Sequence, residues 1–194
     1  MIEGILIGLA VLAVIAVTVL KKRKKDNIWL LLDLFGESTA KQTDAKGERK
    51  NFSIAPQLRE RGVEVMNNFG RGGWNTYEIL EKQLPLIIES KTKDVVLLCG
   101  INDILQGVPI AETVSNIKKM RDAIEAQGKR FKLVKPHACK WDDPKFEKHR
   151  VKLCAALDGI EPPINPKKHL FDKYHVTDPI GAGVLADPIC IAFK

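Results

Sequence analysis

The chain has 194 residues, 45% hydrophobic and 28% charged, enough for one domain with a sizeable core plus an appendage and too few for two full domains. Its formal charge of +7 does not signal a nucleic-acid partner: Lys21, Lys22, Arg23, Lys24 and Lys25 form one block, and residues 26–194 carry 26 basic against 23 acidic groups. So even a balance gives no field that a polyanion would need.

The first element is the uncharged run GILIGLAVLAVIAVTVL, residues 4–20, which stops at the block KKRKK. As a helix rising about 1.5 Å per residue it covers roughly 25 Å of a ~30 Å hydrocarbon core, and lysine stems can snorkel across the difference. A cleaved signal peptide would carry its positive charges before the apolar run, whereas here Glu3 precedes it and the lysines follow. A core helix would need a polar face to show to water, and this one has none. The segment therefore reads as an uncleaved, single-pass transmembrane anchor. The positive-inside rule sets the basic flank and the following domain on the cytoplasmic side. This divides the chain into an anchor with its flank, 1–25, and a domain, 26–194.

Asn27–Phe35 is a short apolar run ending at Gly36, which reads as a buried strand. A polar stretch to residue 51 is a loop or frayed helix start, and FSIAPQLRERG makes a short helix stopped by Gly62. Val63–Phe69 is a second strand. After GRGG, the spacing of Ile79, Leu80, Leu84, Ile87 and Ile88 predicts one helix over 74–90. Asp94–Cys99 is a third strand closed by GIND. Pro109–Gln127 is a helix with proline in its first turn and Gly128 as its stop. Arg130–Pro136 is a fourth strand, and Asp142 and Asp143 with Pro144 start an amphipathic helix. A proline-rich loop that can hide a short fifth strand follows, and an apolar helix from about Asp178, interrupted by Pro188, closes the chain. Strands alternating with helices imply an α/β fold, a doubly wound parallel sheet covered on both faces.

In such a sheet ligands bind outside the carboxyl ends of the strands. Four turns lie there: Gly36-Glu37-Ser38, Asn68 to Gly73, Gly100 to Asp103, and Asp172-Lys173-Tyr174-His175. Each supplies a residue type that acyl transfer requires. Ser38 is a candidate nucleophile if a base takes its proton, and His175 is the candidate base. Asp172, three residues earlier, can hold the Nδ1–H of His175 and so fix the tautomer. The backbone N–H groups of Ser38 and Gly73 and the side-chain amide of Asn102 can serve as an oxyanion hole.

The same turns resemble the conserved blocks of the SGNH (GDSL-type) hydrolases. FGES at 35–38 resembles the Gly-Asp-Ser block, NFGRGGWNT at 68–76 the N-x-G-x-x-G block, GIND at 100–103 matches G-x-N-D, and DKYHVTDPIG at 172–181 resembles D-x-x-H. The resemblance runs from about Ile28 to the C-terminus. It implies a flavodoxin-like, three-layer α/β/α domain, here behind a transmembrane helix. It also implies a serine esterase or lipase-like acyl hydrolase with Ser38, Asp172 and His175 as triad and Ser38, Gly73 and Asn102 as oxyanion hole. The usual block-one Asp is Glu37 in this chain, which puts the local hydrogen bonding of the turn in question. A catalytically degraded domain serving as a binding or structural module is the alternative, and transfer to an alcohol in place of water uses the same residues.

No cofactor is needed for this chemistry, and no carboxylate or histidine cluster has metal spacing. The four cysteines, Cys99, Cys139, Cys154 and Cys190, read as buried, reduced thiols. His137, His149 and His169 read as surface histidines, and Trp74 and Tyr77 as core packing or an acyl-pocket wall. Partners implied are an ester or lipid-like small molecule and, through residues 4–20, a membrane.

Overall fold

The computed structural model describes residues 28–37, 54–170, 172–176 and 180–194. The apolar segment 4–20, the basic block and Ser38 lie outside the described residues. Among the described residues no helix is long and apolar enough to cross a membrane.

Strand β1 (Leu30–Gly36) pairs with both β2 (Val63–Asn68) and β3 (Asp94–Leu98), and β3 pairs with β4 (Arg130–Val134). All pairings are parallel and the order is β2-β1-β3-β4. The chain leaves β1 for β2 on one side and returns for β3 on the other, so the topological switch lies between β1 and β3. The short fifth strand is reduced to one parallel bridge between Val134 and Ile160.

Both faces of the sheet are buried, which is why its strands read as near-continuous apolar runs and not as alternating ones. On one face Leu30, Leu32, Leu34, Val96 and Leu98 pack with Ile54 and Leu58 of α1 (Ile54–Glu60) and Leu185 and Ile189 of α8 (Ile180–Ala192). On the other, Phe35, Val95 and Leu97 meet five further helices. These are α2 (Thr76–Lys82), α3 (Leu84–Glu89), α4 (Ile101–Gln106), α5 (Ile110–Glu125) and α6 (Pro144–Ala156). The domain is the three-layer α/β/α sandwich that the alternation implies.

The structure corrects the sequence reading in several places. The helix expected over 74–90 is two helices, α2 and α3, that meet at Gln83. Pro85 lacks the N–H that would bond back one turn, so the helix breaks there. GIND does more than close β3: Ile101–Gln106 is a helix of its own, α4, and Asn102 stands inside its first turn. The proline-rich loop holds one further short helix, α7 (Pro166–His169). His137 is not on the surface but 3% exposed. Asp143 does cap α6, accepting from the Lys145 N–H at 2.8 Å, and the four cysteines are free and buried.

Candidate active site

The turn after β1 is tightly crowded. Gly36 has φ +125°, a conformation side chains rarely adopt, and a Cβ there would collide with the Leu98 carbonyl. The next residue donates its backbone N–H to that same carbonyl, Glu37 N to Leu98 O at 2.9 Å. The described residues of this turn end at Glu37, next to the predicted nucleophile.

Glu37 is 2% exposed, and its carboxylate oxygens accept from the backbone N–H groups of Ile101 (3.3 Å) and Asn102 (3.0 Å). These are two of the first N–H groups of α4, which have no partner within the helix. Burial pushes the Glu37 carboxyl up to about 8 from its ordinary 4.5; the N–H of Asn102 opposes the shift and the nearby Asp103 adds to it. The extra methylene relative to aspartate is thus spent on spanning from β1 to α4.

Helix α4 in turn holds the glycine turn that follows β2. The Asn102 side chain donates from Nδ2 to Trp74 O at 3.0 Å, and Gln106 Nε2 donates to Gly73 O at 2.8 Å. Asp103, fully buried, accepts from Thr76 N at 3.0 Å, Thr76 Oγ1 and Thr113 Oγ1. Burial raises the Asp103 carboxyl, and the hydrogen bonds from Thr76 and Thr113 pull the other way. Gly73 and Asn102 are thereby brought into one locked assembly. The Asn102 amide has a second N–H beyond the one given to Trp74 O, and Gly73, at φ +79°, has open space beside its Cα.

Asp172 and His175 meet directly. His175 Nδ1 lies 2.7 Å from Asp172 Oδ2, and Asp172 Oδ1 accepts the backbone N–H groups of Tyr174 and His175, each at 2.7 Å. Burial alone would raise the Asp172 carboxyl, but the His175 and Tyr174 bonds hold it below the usual carboxylate range. A charged acceptor at Nδ1 keeps that nitrogen protonated and leaves Nε2 as the basic atom.

Beneath this loop lies His137, whose Nε2 is 2.8 Å from Tyr174 O. A carbonyl accepts only, so that nitrogen carries the hydrogen. Burial lowers the His137 pKa to about 4, the neighbouring His175 and Arg150 adding to the effect against the Tyr174 bond, so it supports the loop as a neutral donor. Lys140 binds the same loop from N to Lys173 O and from Nζ to Leu170 O, each at 2.9 Å, and Trp141 packs 5.8 Å from Tyr174. A groove of about 790 Å³ lined by Trp141, Pro144, Ile164 and Asn165 opens beside it. The Cys139 thiol at this groove is buried, and burial, with Glu37 and Asp172 among the smaller causes, pushes it up. Among the described residues no group of three or more His, Cys, Asp and Glu side chains converges as metal ligands would.

Among the contributors that escaped the sequence reading are Gln83, Asp103 and His137. Gln83 is 1% exposed and pairs with both backbone polar groups of Gly36, accepting its N–H at 2.7 Å and donating to its carbonyl at 2.9 Å. It carried a detectable signal, since it falls four residues from both Ile79 and Ile87, a polar side chain on the apolar face of a helix.

A family model described as the GDSL-like lipase/acylhydrolase family matches residues 34–168. None of the curated proteins matches the chain in sequence. Among solved structures, a member of the lipolytic protein G-D-S-L family from Veillonella parvula DSM 2008 superposes with a TM-score of 0.65 at 15% identity, over 84% of this chain and 98% of that one. LAE5, an alpha/beta hydrolase enzyme from the metagenome of Lake Arreo, gives 0.63 at 15%, over 84% and 94%. Axe2, an acetylxylan esterase from Geobacillus stearothermophilus, gives 0.62 at 16%, over 84% and 94%. Axe2 is also solved as catalytic mutants in which a serine or a histidine is replaced by alanine. At these identities the likeness is one of fold.

Proposed function

The chain belongs to the GDSL-like lipase/acylhydrolase family, and from that premise we propose that it is a serine-dependent carboxylic ester hydrolase working through an acyl-Ser38 intermediate. The observation that carries the reading is the Asp172–His175 pair, with Nδ1 bonded to a carboxylate in the last of the four turns. Ser38 Oγ attacks the ester carbonyl carbon while its proton passes to His175 Nε2. The carbonyl oxygen becomes an oxyanion received by the N–H groups of Ser38 and Gly73 and the Asn102 amide. Donors of this kind are each worth about 2.7–4 kcal/mol of barrier. Collapse breaks the ester C–O bond, and His175 returns the proton to the departing alcohol. Water, deprotonated by His175, then attacks the acyl carbon and releases the acid and Ser38.

The hydrogen bonds of Glu37 favour this reading over a degraded binding module. The one departure from the family pattern leaves the turn with two ties to α4.

The anchor is part of the proposal through residues 4–20 and the Lys21–Lys25 block, with the domain on the cytoplasmic side. Tethering of this kind raises the effective concentration of lipid or membrane-associated esters near the bilayer.

Fluorophosphonate labelling of the full chain in membranes tests the assignment. Wild type should label and Ser38→Ala should not, and equal labelling of the two would overturn it. Deleting residues 2–25 should release the labelled protein from the membrane fraction.

A further inference from the structure

The turn that carries the predicted nucleophile needs more support than the sheet gives it. Along β1 the side facing β2 is satisfied up to Leu34, whose carbonyl accepts from Phe69 N at 2.9 Å. β2 then stops: it ends at Asn68, its register having already slipped by one residue where Leu32 and Asp33 face Val65 and Asn67. Gly36, two residues further along β1, faces the same side: its C=O still accepts from Arg71 N at 2.9 Å, but its N–H goes to a side chain. A buried backbone N–H left without an acceptor is costly, and an unheld glycine at φ +125° is free to adopt many other conformations.

Gln83 closes this gap. Its amide accepts from Gly36 N and donates to Gly36 O, supplying the acceptor that a longer β2 would have given. Arg71 N adds a second donor to the same carbonyl at 2.9 Å. Gln83 can do this because its own backbone is engaged elsewhere: its N–H bonds to Ile79 O at 2.9 Å and its carbonyl accepts from Ile87 N at 3.1 Å. The side chain is therefore projected from the junction of α2 and α3, a point fixed by helices on both sides. On the opposite side of the turn Glu37 is tied to Leu98 O and to α4. The peptide between Gly36 and Glu37 is clamped from two directions.

We propose that Gln83 is a positioning residue for catalysis: its amide supplies the acceptor that β2 lacks at Gly36 N, with a second donor to Gly36 O, and thereby fixes where the following turn holds Ser38 relative to His175 and the oxyanion donors. The proposal rests on the esterase reading above. It adds to that reading a buried amide that contacts no substrate, acting on the chemical step through one glycine. Misplacement of a reacting atom by about 1 Å is enough to cost on the order of 100-fold in rate.

The test compares wild type, Ser38→Ala, Gln83→Met and Gln83→Glu as full-length proteins. Gln83→Met keeps length and fills the space but cannot donate and accepts only weakly through its thioether; kcat on a short-chain p-nitrophenyl ester should fall roughly 10- to 100-fold with KM within about 2-fold. The carboxyl introduced by Gln83→Glu reproduces the donor–acceptor pair only while protonated. Its kcat relative to wild type should therefore be highest at the acid end of the profile and fall as pH rises. The Gly36 amide, followed by hydrogen exchange, should lose protection at least 10-fold in Gln83→Met while the amides of β3 keep theirs. A wild-type kcat in Gln83→Met, a flat Gln83→Glu ratio, or an unchanged Gly36 protection would each overturn the proposal. Failure of the esterase reading is distinct from these: wild type would then turn over no faster than Ser38→Ala, and the exchange measurement would still decide whether Gln83 holds Gly36.

Discussion

Asp172 and His175 stand three residues apart and make their bond inside one loop, whereas Asp103, Gln83 and Glu37 reach partners 27, 47 and 65 residues away. The two regions also differ in exposure. The side chains of His175 and Asp172 are 30% and 41% accessible, while Glu37, Gln83 and Asp103 are all at 2% or below. The proposed acid–base pair is assembled locally because a carboxylate three residues ahead reaches the ring directly. The proposed oxyanion donors come from turns that follow different strands, so they are fastened to one another through the interior. The comparison teaches that loss of the first region should show in rate alone, and loss of the second in rate and stability together.

The largest expected effect probes the local region. In Asp172→Asn the retained oxygen can still accept the Tyr174 and His175 N–H groups. The new NH₂, however, faces Nδ1 and forces the proton to Nε2, where it blocks abstraction from Ser38. On the proposed mechanism kcat should fall on the order of 10⁴-fold, with unfolding free energy changed by no more than about 1 kcal/mol. Steady-state kinetics and urea denaturation on the same preparation check both. A loss of several kcal/mol would erase the contrast between the regions.

Asp103→Ala probes the other side. It leaves Thr76 N–H and two hydroxyls without their acceptor in the interior, at about 1–3 kcal/mol for each group left unsatisfied. Relaxation of the hydroxyls reduces the total to roughly 3 kcal/mol. The denaturant midpoint should fall accordingly, and kcat should fall with it because the 73–76 turn loosens.

The smallest effect is a pH dependence. The Glu37 carboxyl titrates at about 8 in the folded protein against 4.5 unfolded, so between these values the folded state holds a proton that the unfolded state has lost. Stability therefore falls as pH rises through that window and levels off above it. His137, at about 4 against 6.5, acts in the opposite sense, with stability gained as pH rises from 4 to 6.5. From pH 6.5 to 8 the His137 contribution is constant and the Glu37 one stands clear of it, at up to about 1.4 kcal/mol per unit, or roughly 2 kcal/mol. Denaturation at pH 6.5 and 8 should show this loss in wild type and a much smaller one in Glu37→Gln, whose amide does not titrate. Equal slopes in the two proteins would mean that Glu37 is not the buried acid.

The features legible in the chain alone follow from local rules. Apolar runs separated by helical spacing specified four parallel strands with helices between them, Pro144 behind Asp143 specified a helix start, and the three-residue step from Asp172 to His175 specified a bond that the fold then makes. Each of these depends on residues within about one turn or one strand of each other, where periodicity and reach suffice. The tertiary structure alone decided which polar side chains would be buried and what they would hold. Gln83 lay inside an apolar helical stripe, Asp103 looked like one letter of a turn motif, and His137 sat among prolines and charges. Their partners Gly36, Thr76 and Tyr174 are distant in sequence and are set by strand order and helix packing. Glu37 shows the division most clearly. The chain records one methylene more than aspartate, but only the packing of α4 against the end of β1 gives its two oxygens backbone N–H groups to accept, because a buried carboxyl group takes its role from whatever donors the fold brings within reach.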